Sequence, residues 1–196
     1  MQTDIKEQIL SFNFKYHSDY RYLCLKNCIK QLLDFYNVSN SSLLINSAVE
    51  VAAVFDLNDY GFGFVDSNII CPLQPEINKN ALKFFSDSSP DKAWEANKTA
   101  IKTKPIIVLT DIYHLKFRNE YLKQHGAHFI ILFYYDELSN SVGVLDWYEP
   151  HFYKGEILLN DFLSARYSEN NFSNNPFSKL NQESTLKSIL FKTRNF

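Results

Sequence analysis

The sequence predicts an α+β fold in a single domain spanning residues 1–196, with N-terminal helices packed on an antiparallel sheet. Three observations carry this. Leu23 to Tyr36 place apolar side chains at Leu25, Cys28, Ile29, Leu32, Leu33 and Tyr36, the stripe of a helix with one buried face. Strand-like runs follow at Pro105–Thr110, Ala127–Tyr135 and Val142–Trp147. The last two are joined only by Asp136–Ser141, a connection short enough for an antiparallel hairpin. The step from helix to strand repeats nowhere else, which argues against a doubly wound α/β sheet.

Residues 1–22 alternate polar and aromatic side chains and read as an extended lead-in, with a turn near Ser18 and Asp19. Either residue suits the cap of the helix that follows, and Asn37 suits its stop. Asn40-Ser41-Ser42 then caps a second predicted helix, Leu43 to Phe55. Tyr60-Gly61-Phe62-Gly63-Phe64 breaks it, and two glycines between aromatics suggest a bend or a close backbone approach. Glu76 to Phe85 reads as a short helix. Ser89-Pro90 opens another, with Pro at the first helical position. Between Asp111 and Ala127 the pattern suggests a loop and a short helix. Tyr153–Leu158 adds a strand, and Leu159–Arg166 reads as helical with Asn160 as its cap. Residues 168–182 are an Asn/Ser-rich loop, and Glu183 to Phe196 has no clear assignment. No repeat or long linker divides the chain.

Composition narrows the function classes. The chain is 45% hydrophobic and 16% aromatic, a globular balance, and its net charge is −2 without an extended basic run. Nothing in it asks for nucleic acid. The start, MQTDIKEQILSF, lacks the apolar core of a signal peptide. The longest apolar run, Phe129–Tyr135, is too short to cross a bilayer. Cys24, Cys28 and Cys71 form no disulfide framework, so a reduced, cytoplasmic setting is expected.

Chemistry is expected where three distant residues converge. Cys24 sits in the first turn of the predicted helix, where the positive end of the helix dipole favours a thiolate. His128 opens one strand and Asp146 closes the next. Together they have the makings of nucleophile, base and base-orienting carboxylate. Cysteine at a helix start is more often simple packing, and Cys28 and Cys71 are read that way. His125 and His128, with His114, Asp111 or His151, match no zinc spacing, so no metal is expected. Lys116, Arg118 and Lys123 read as a solvated face or as a docking patch for an acidic partner.

Three blocks make the chain resemble a known family. They are CLKNCIKQLLDFYNV, PIIVLTDIYHLKFRNEYLKQHGAHFIILFYYD and VGVLDWYEP. They are similar to the N-terminal domain family of the butirosin-biosynthesis acyltransferase, the BtrH-like proteins, relatives of papain-like and bacteriocin-processing cysteine peptidases. Lys116 stands where the family commonly has Pro, and its glycine-rich segment is reduced to Tyr60–Phe64. His17-Ser18-Asp19-Tyr20, a few residues before Cys24, has no Gln where papain-like peptidases place one to bind the oxyanion.

The resemblance implies a papain-like fold. It also implies amide formation from a carrier-protein-bound acyl thioester and an amine in specialised-metabolite biosynthesis, through an acyl-Cys24 intermediate. Cys24, His128 and Asp146 would be catalytic, and Tyr22, Phe64, Asp111 and Tyr113 would line the substrate. The acyl group would arrive on pantetheine, with no resident cofactor. The alternatives are a cysteine hydrolase with the same triad, and a non-catalytic accessory or binding protein.

Overall fold

In the computed structural model, residues 5–20, 24–42, 55–56, 59–60, 82–85, 90–168 and 188–191 are described. Helices α1 (Ile5–Ser11) and α2 (Cys24–Phe35) come first, with a 3-10 turn at Ser18–Tyr20 between them. A two-strand hairpin pairs β1 (Phe55–Asp56) with β2 (Asp59–Tyr60). Strand β3 (Leu82–Phe85), helix α3 (Pro90–Ile101) and strand β4 (Ile106–Asp111) follow. Then come β5 (Ala127–Asp136), β6 (Ser141–Asp146), β7 (Tyr153–Leu158), α4 (Leu159–Arg166) and β8 (Ser188–Phe191). The architecture is α+β. Its main sheet is antiparallel throughout, in the order β3-β8-β4-β5-β6-β7.

Strand alternation builds two cores. Ile107, Leu109, Phe129, Ile131, Phe133 and Leu145 point to one face, where Ile9 of α1 and Leu25, Cys28, Ile29 and Leu32 of α2 pack on them. Ile106, Val108, Ile130, Leu132, Val142 and Val144 point to the other, against Trp94 and Ile101 of α3 and Leu159 and Phe162 of α4. A sheet covered on both faces needs strands apolar on both sides, and every residue of β4 is buried. This is why PIIVLT reads as a continuous apolar run.

α2 ends as its composition suggests. Asn37 takes a left-handed backbone (φ 54°), and Val38 N donates to Leu33 O at 2.9 Å. Gly143 serves a close approach on β6. It pairs with Tyr134, whose ring lies over it, so that a Cβ there would fall 2.1 Å from Tyr134 Cε1. The Lys6 ammonium lies over that ring, 4.0 Å from its centroid.

Several expectations are corrected. The lead-in contains a helix, α1, because Ile9 is driven fully into the core beside α2 and Ser11 closes the turn on the carbonyl of Glu7. Residues 82–85 are a strand rather than the end of a helix. Their partner is β8, in the tail that had no assignment, so pairing across the chain overrides the local pattern. Phe55 is in β1 and pairs with Tyr60 instead of ending a helix. Asn160 is not the cap of α4. The helix starts at Leu159 straight from β7, with extended Leu158 at the cap position and no side-chain cap bond.

Between β4 and β5 a 3-10 turn (Ile112–His114) and successive turns replace the expected short helix. The Asp111 carboxylate explains this, since its Oδ1 accepts from Tyr113 N (3.1 Å) and Gly126 N (3.0 Å) and ties the two ends of the loop together. The predicted helix over residues 43–54, the glycine segment beyond Tyr60 and Cys71 lie outside the described residues. Among those described, no helix is long and apolar enough to cross a membrane.

Candidate active site

The strand pattern brings His128 and Asp146 together. On β5 the even-numbered Ile130 and Leu132 face the α3 and α4 layer, and on β6 Val142 and Val144 do the same. His128 and Asp146 share that parity at adjoining strand ends. His128 Nε2 donates to Asp146 Oδ1 at 2.9 Å, and both residues are buried. Asp146 Oδ2 accepts from Arg118 Nη1 at 3.1 Å. One carboxylate is thus held between an imidazole and a guanidinium.

Cys24, the first residue of α2, packs at the margin of the first core and is partly exposed. Its thiol and the His128 imidazole lie near enough to shift each other's protonation. Nε2 is already committed to Asp146, so Nδ1 is the nitrogen left for the sulfur. The backbone amide of Phe129 also donates to the sulfur. One turn further in, Cys28 donates to the Phe129 carbonyl at 3.3 Å. α2 is fastened over this spot by Asn27, whose Nδ2 donates to Trp147 O at 2.9 Å.

The electrostatics of the three groups agree. Burial alone would raise the Cys24 pKa, but the hydrogen bond and charge of His128, with the Phe129 amide, outweigh it and lower the thiol. Burial alone would lower His128. The Asp146 charge and hydrogen bond, with Cys24, overcome this and raise the imidazole to about 9. Asp146 is likewise held below the usual carboxylate range, against its burial, by His128 and Arg118. Both shifts act in the direction of a thiolate beside an imidazolium. Cys28 behaves oppositely: burial, Cys24 and Asp146 all push its thiol well above the ordinary value.

Aromatic residues from the β6–β7 connection close around the pair. The Tyr148 ring lies edge to face on the His128 ring, centroids 5.2 Å apart, with the Arg118 guanidinium 5.9 Å from its centroid. Burial and the nearby Cys24 raise the Tyr148 phenol to about 12, so its hydroxyl stays protonated. Trp147 and Tyr16 both meet Phe152, which has a left-handed backbone (φ 34°) that a non-glycine residue adopts only at a cost.

The remaining candidates fall as follows. Asp111 is buried at the base of the β4–β5 loop. Besides the two amides, its Oδ2 accepts from His125 Nδ1 and Ser168 Oγ, each at 2.7 Å. Tyr113 stacks on His125 with centroids 3.9 Å apart. Tyr22 and Phe64 lie outside the described residues. His151 is near Glu120 (3.7 Å), away from the Asp111 group, and no three potential ligands among the described residues are grouped as a metal site.

The basic patch is not as the sequence suggests. Arg118 is 8% exposed and turned inward onto Asp146, which removes it from any docking face. Lys116 pairs with Asp161 at 2.7 Å. Arg118 is the site residue that sequence reasoning missed. A charged residue in FRNE reads as solvated, and the one available signal was the planar, bidentate chemistry of Arg where Lys would serve a surface equally well.

Fold and site together describe an α+β protein that groups a cysteine, a histidine and an aspartate at the end of an antiparallel sheet. Residues 77–147 match the family model described as Butirosin biosynthesis protein H, N-terminal. That stretch is 71 of the chain's 196 residues, and over it the chain is similar to the BtrH-like family. It contains His128, Arg118 and Asp146 and leaves out Cys24. No curated protein matches the chain.

Proposed function

We propose that the protein is a cysteine acyltransferase, with a papain-like arrangement of Cys24, His128 and Asp146, that forms an amide from a thioester and an amine. The observation that carries this reading is the grouping of His128, bonded to Asp146 at 2.9 Å, with Cys24 at the start of α2. The thiol is lowered and the imidazole raised, with a carboxylate behind the imidazole. The BtrH-like match supplies the biosynthetic setting.

The steps follow from the geometry. The Cys24 thiolate attacks the thioester carbonyl, forming a new carbon–sulfur bond. Collapse of the tetrahedral intermediate expels the donor thiol, which takes the proton from His128 Nδ1. An amine then attacks the acyl-Cys24 carbonyl, and His128 Nδ1, now neutral, accepts a proton from the amine nitrogen. The amide leaves and Cys24 returns as thiolate beside imidazolium. A thioester is already activated, so the protein has mainly to position the reactants and stabilise the oxyanion. The Cys24 backbone amide, at the start of α2, is one oxyanion donor in this reading. The donor substrate would be carried on pantetheine by an acyl or peptidyl carrier protein in the cytoplasm.

Incubation with an acyl-pantetheine thioester, with and without a primary amine, tests the proposal. An amide product that disappears in Cys24→Ala is expected. Free acid alone, whatever the amine, would make the protein a hydrolase using the same three residues. Absence of any turnover or adduct would leave a non-catalytic accessory protein.

A further inference from the structure

The three groups of the site do not account for the buried cation beside them. Arg118 comes from the β4–β5 loop, which no strand pairing holds in place. The loop is fixed at its base by the four bonds that Asp111 accepts, and in its middle by Leu122 N donating to Tyr113 O at 2.9 Å. This bracing delivers a guanidinium to the oxygen of Asp146 that His128 does not use. Beyond it, Arg118 Nε lies 3.4 Å from Glu120 Oε2, an ion pair without hydrogen-bond alignment. The same Glu120 oxygen lies 3.7 Å from His151 Nε2. Charges alternate along the row His128, Asp146, Arg118 and Glu120, and His151 at its end is held below the ordinary histidine value by burial and Arg118.

We propose that Arg118 is a positioning residue for the Cys24–His128 pair: by holding the far oxygen of Asp146 it orients the carboxylate and limits how tightly that carboxylate keeps the His128 proton. The inference rests on the cysteine reading above. Its physical basis is that a carboxylate shared by two cations presents less negative potential to each than it would to one alone. An imidazolium gripped by an unshared buried carboxylate would be a poor proton donor to a leaving thiol. His128 must give up its proton in the first half of the cycle and regain one in the second, so moderating its basicity serves turnover.

Among the described residues, the titratable and charged groups around His128 are Cys24 and Cys28 from α2, Asp146 from β6, Arg118 and Glu120 from the loop, and Tyr148 and His151 from the β6–β7 connection. Arg118 is the permanent cation among them.

The test is the pH dependence of Cys24 alkylation by iodoacetamide in the full chain, read by peptide mass, for the natural protein, Arg118→Met and Arg118→Lys. Arg118→Met is expected to move the alkaline limb of the profile upward by about one pH unit. Arg118→Lys, which keeps the charge, is expected to hold the limb near its natural place. A uniform loss of rate at every pH, with the limb unmoved, would mean that Arg118 only supports the fold and would overturn the inference. If Arg118→Met does not fold, Arg118→Gln gives the same comparison and an unmoved limb there has the same consequence. The assay uses no acyl substrate. A natural protein whose Cys24 shows no activated, pH-dependent alkylation would defeat the cysteine reading itself, whereas a normal natural profile with unmoved variants defeats only the role of Arg118.

Discussion

Replacing Asp146 with Asn keeps the shape of the side chain and removes its charge, so it isolates what the carboxylate does. His128 stands at about 9 against an ordinary 6.5, although its burial acts in the opposite direction. The gap corresponds to about 3 kcal/mol of preference for imidazolium. In Asp146→Asn burial is left unopposed and the imidazole falls to or below its ordinary value. The thiol loses its cationic partner near neutral pH and rises.

The thiolate population of Cys24 at pH 7 should then fall to about the few per cent of an ordinary thiol or below. Alkylation by iodoacetamide between about pH 5 and about pH 10 reads this directly, because thiolate is the reacting form. The natural protein should show a broad plateau and then an alkaline limb near pH 9, where His128 loses its proton and the thiolate, no longer ion-paired, reacts at a different rate. The Asn variant should lose the plateau and show the single high-pH rise of an unassisted buried thiol. An Asn variant with the natural profile would refute the argument, since it would mean that the carboxylate does not govern the pair.

Stability should move as well, because the buried Arg118 loses its carboxylate. Stranding one member of a buried pair costs about 3 kcal/mol, so alkylation must be measured well below the variant's melting temperature. The sign of the pH dependence follows from the same groups. The contribution of raised His128 is full below about pH 6.5 and is lost as pH rises through about 9. The contribution of depressed Asp146 is present above its ordinary value and is lost as pH falls through its lower folded value.

Two further outcomes are expected. Asp111→Ala leaves the Tyr113 and Gly126 amides, His125 and Ser168 without their acceptor; it should cost about 3 kcal/mol in chemical denaturation and expose the 112–126 loop to protease, and an unchanged midpoint with unchanged cleavage would contradict the bracing role. Gly143→Ala drives a methyl into the rings of Tyr134 and Phe133, so it should lower stability by about 2 kcal/mol without altering Cys24 alkylation, and a neutral melting temperature would show that Tyr134 is free to move aside.

Much of this arrangement was legible in the sequence because it follows strand alternation and helix periodicity. His128 and Asp146 can be placed on one face by counting along two adjoining strands, and Cys24 by finding where an apolar stripe begins. The parts that were not legible depend on contacts between distant segments. β3 and β8 are short runs whose state is decided by each other. α1 is a brief helix made stable by the core beneath it rather than by its own propensity. Arg118 was read as solvent-facing because nothing local reveals that its loop folds inward, and the Asp111 bonds responsible join residues up to 57 positions apart.

The central claim is that Cys24 is the nucleophile, and intact-mass measurement after brief exposure to an acyl-pantetheine thioester tests it most directly. The account predicts one added acyl group, mapped to the peptide containing Cys24, absent in Cys24→Ala and discharged on addition of an amine. An unmodified mass, or an acyl group that persists in Cys24→Ala, would contradict it.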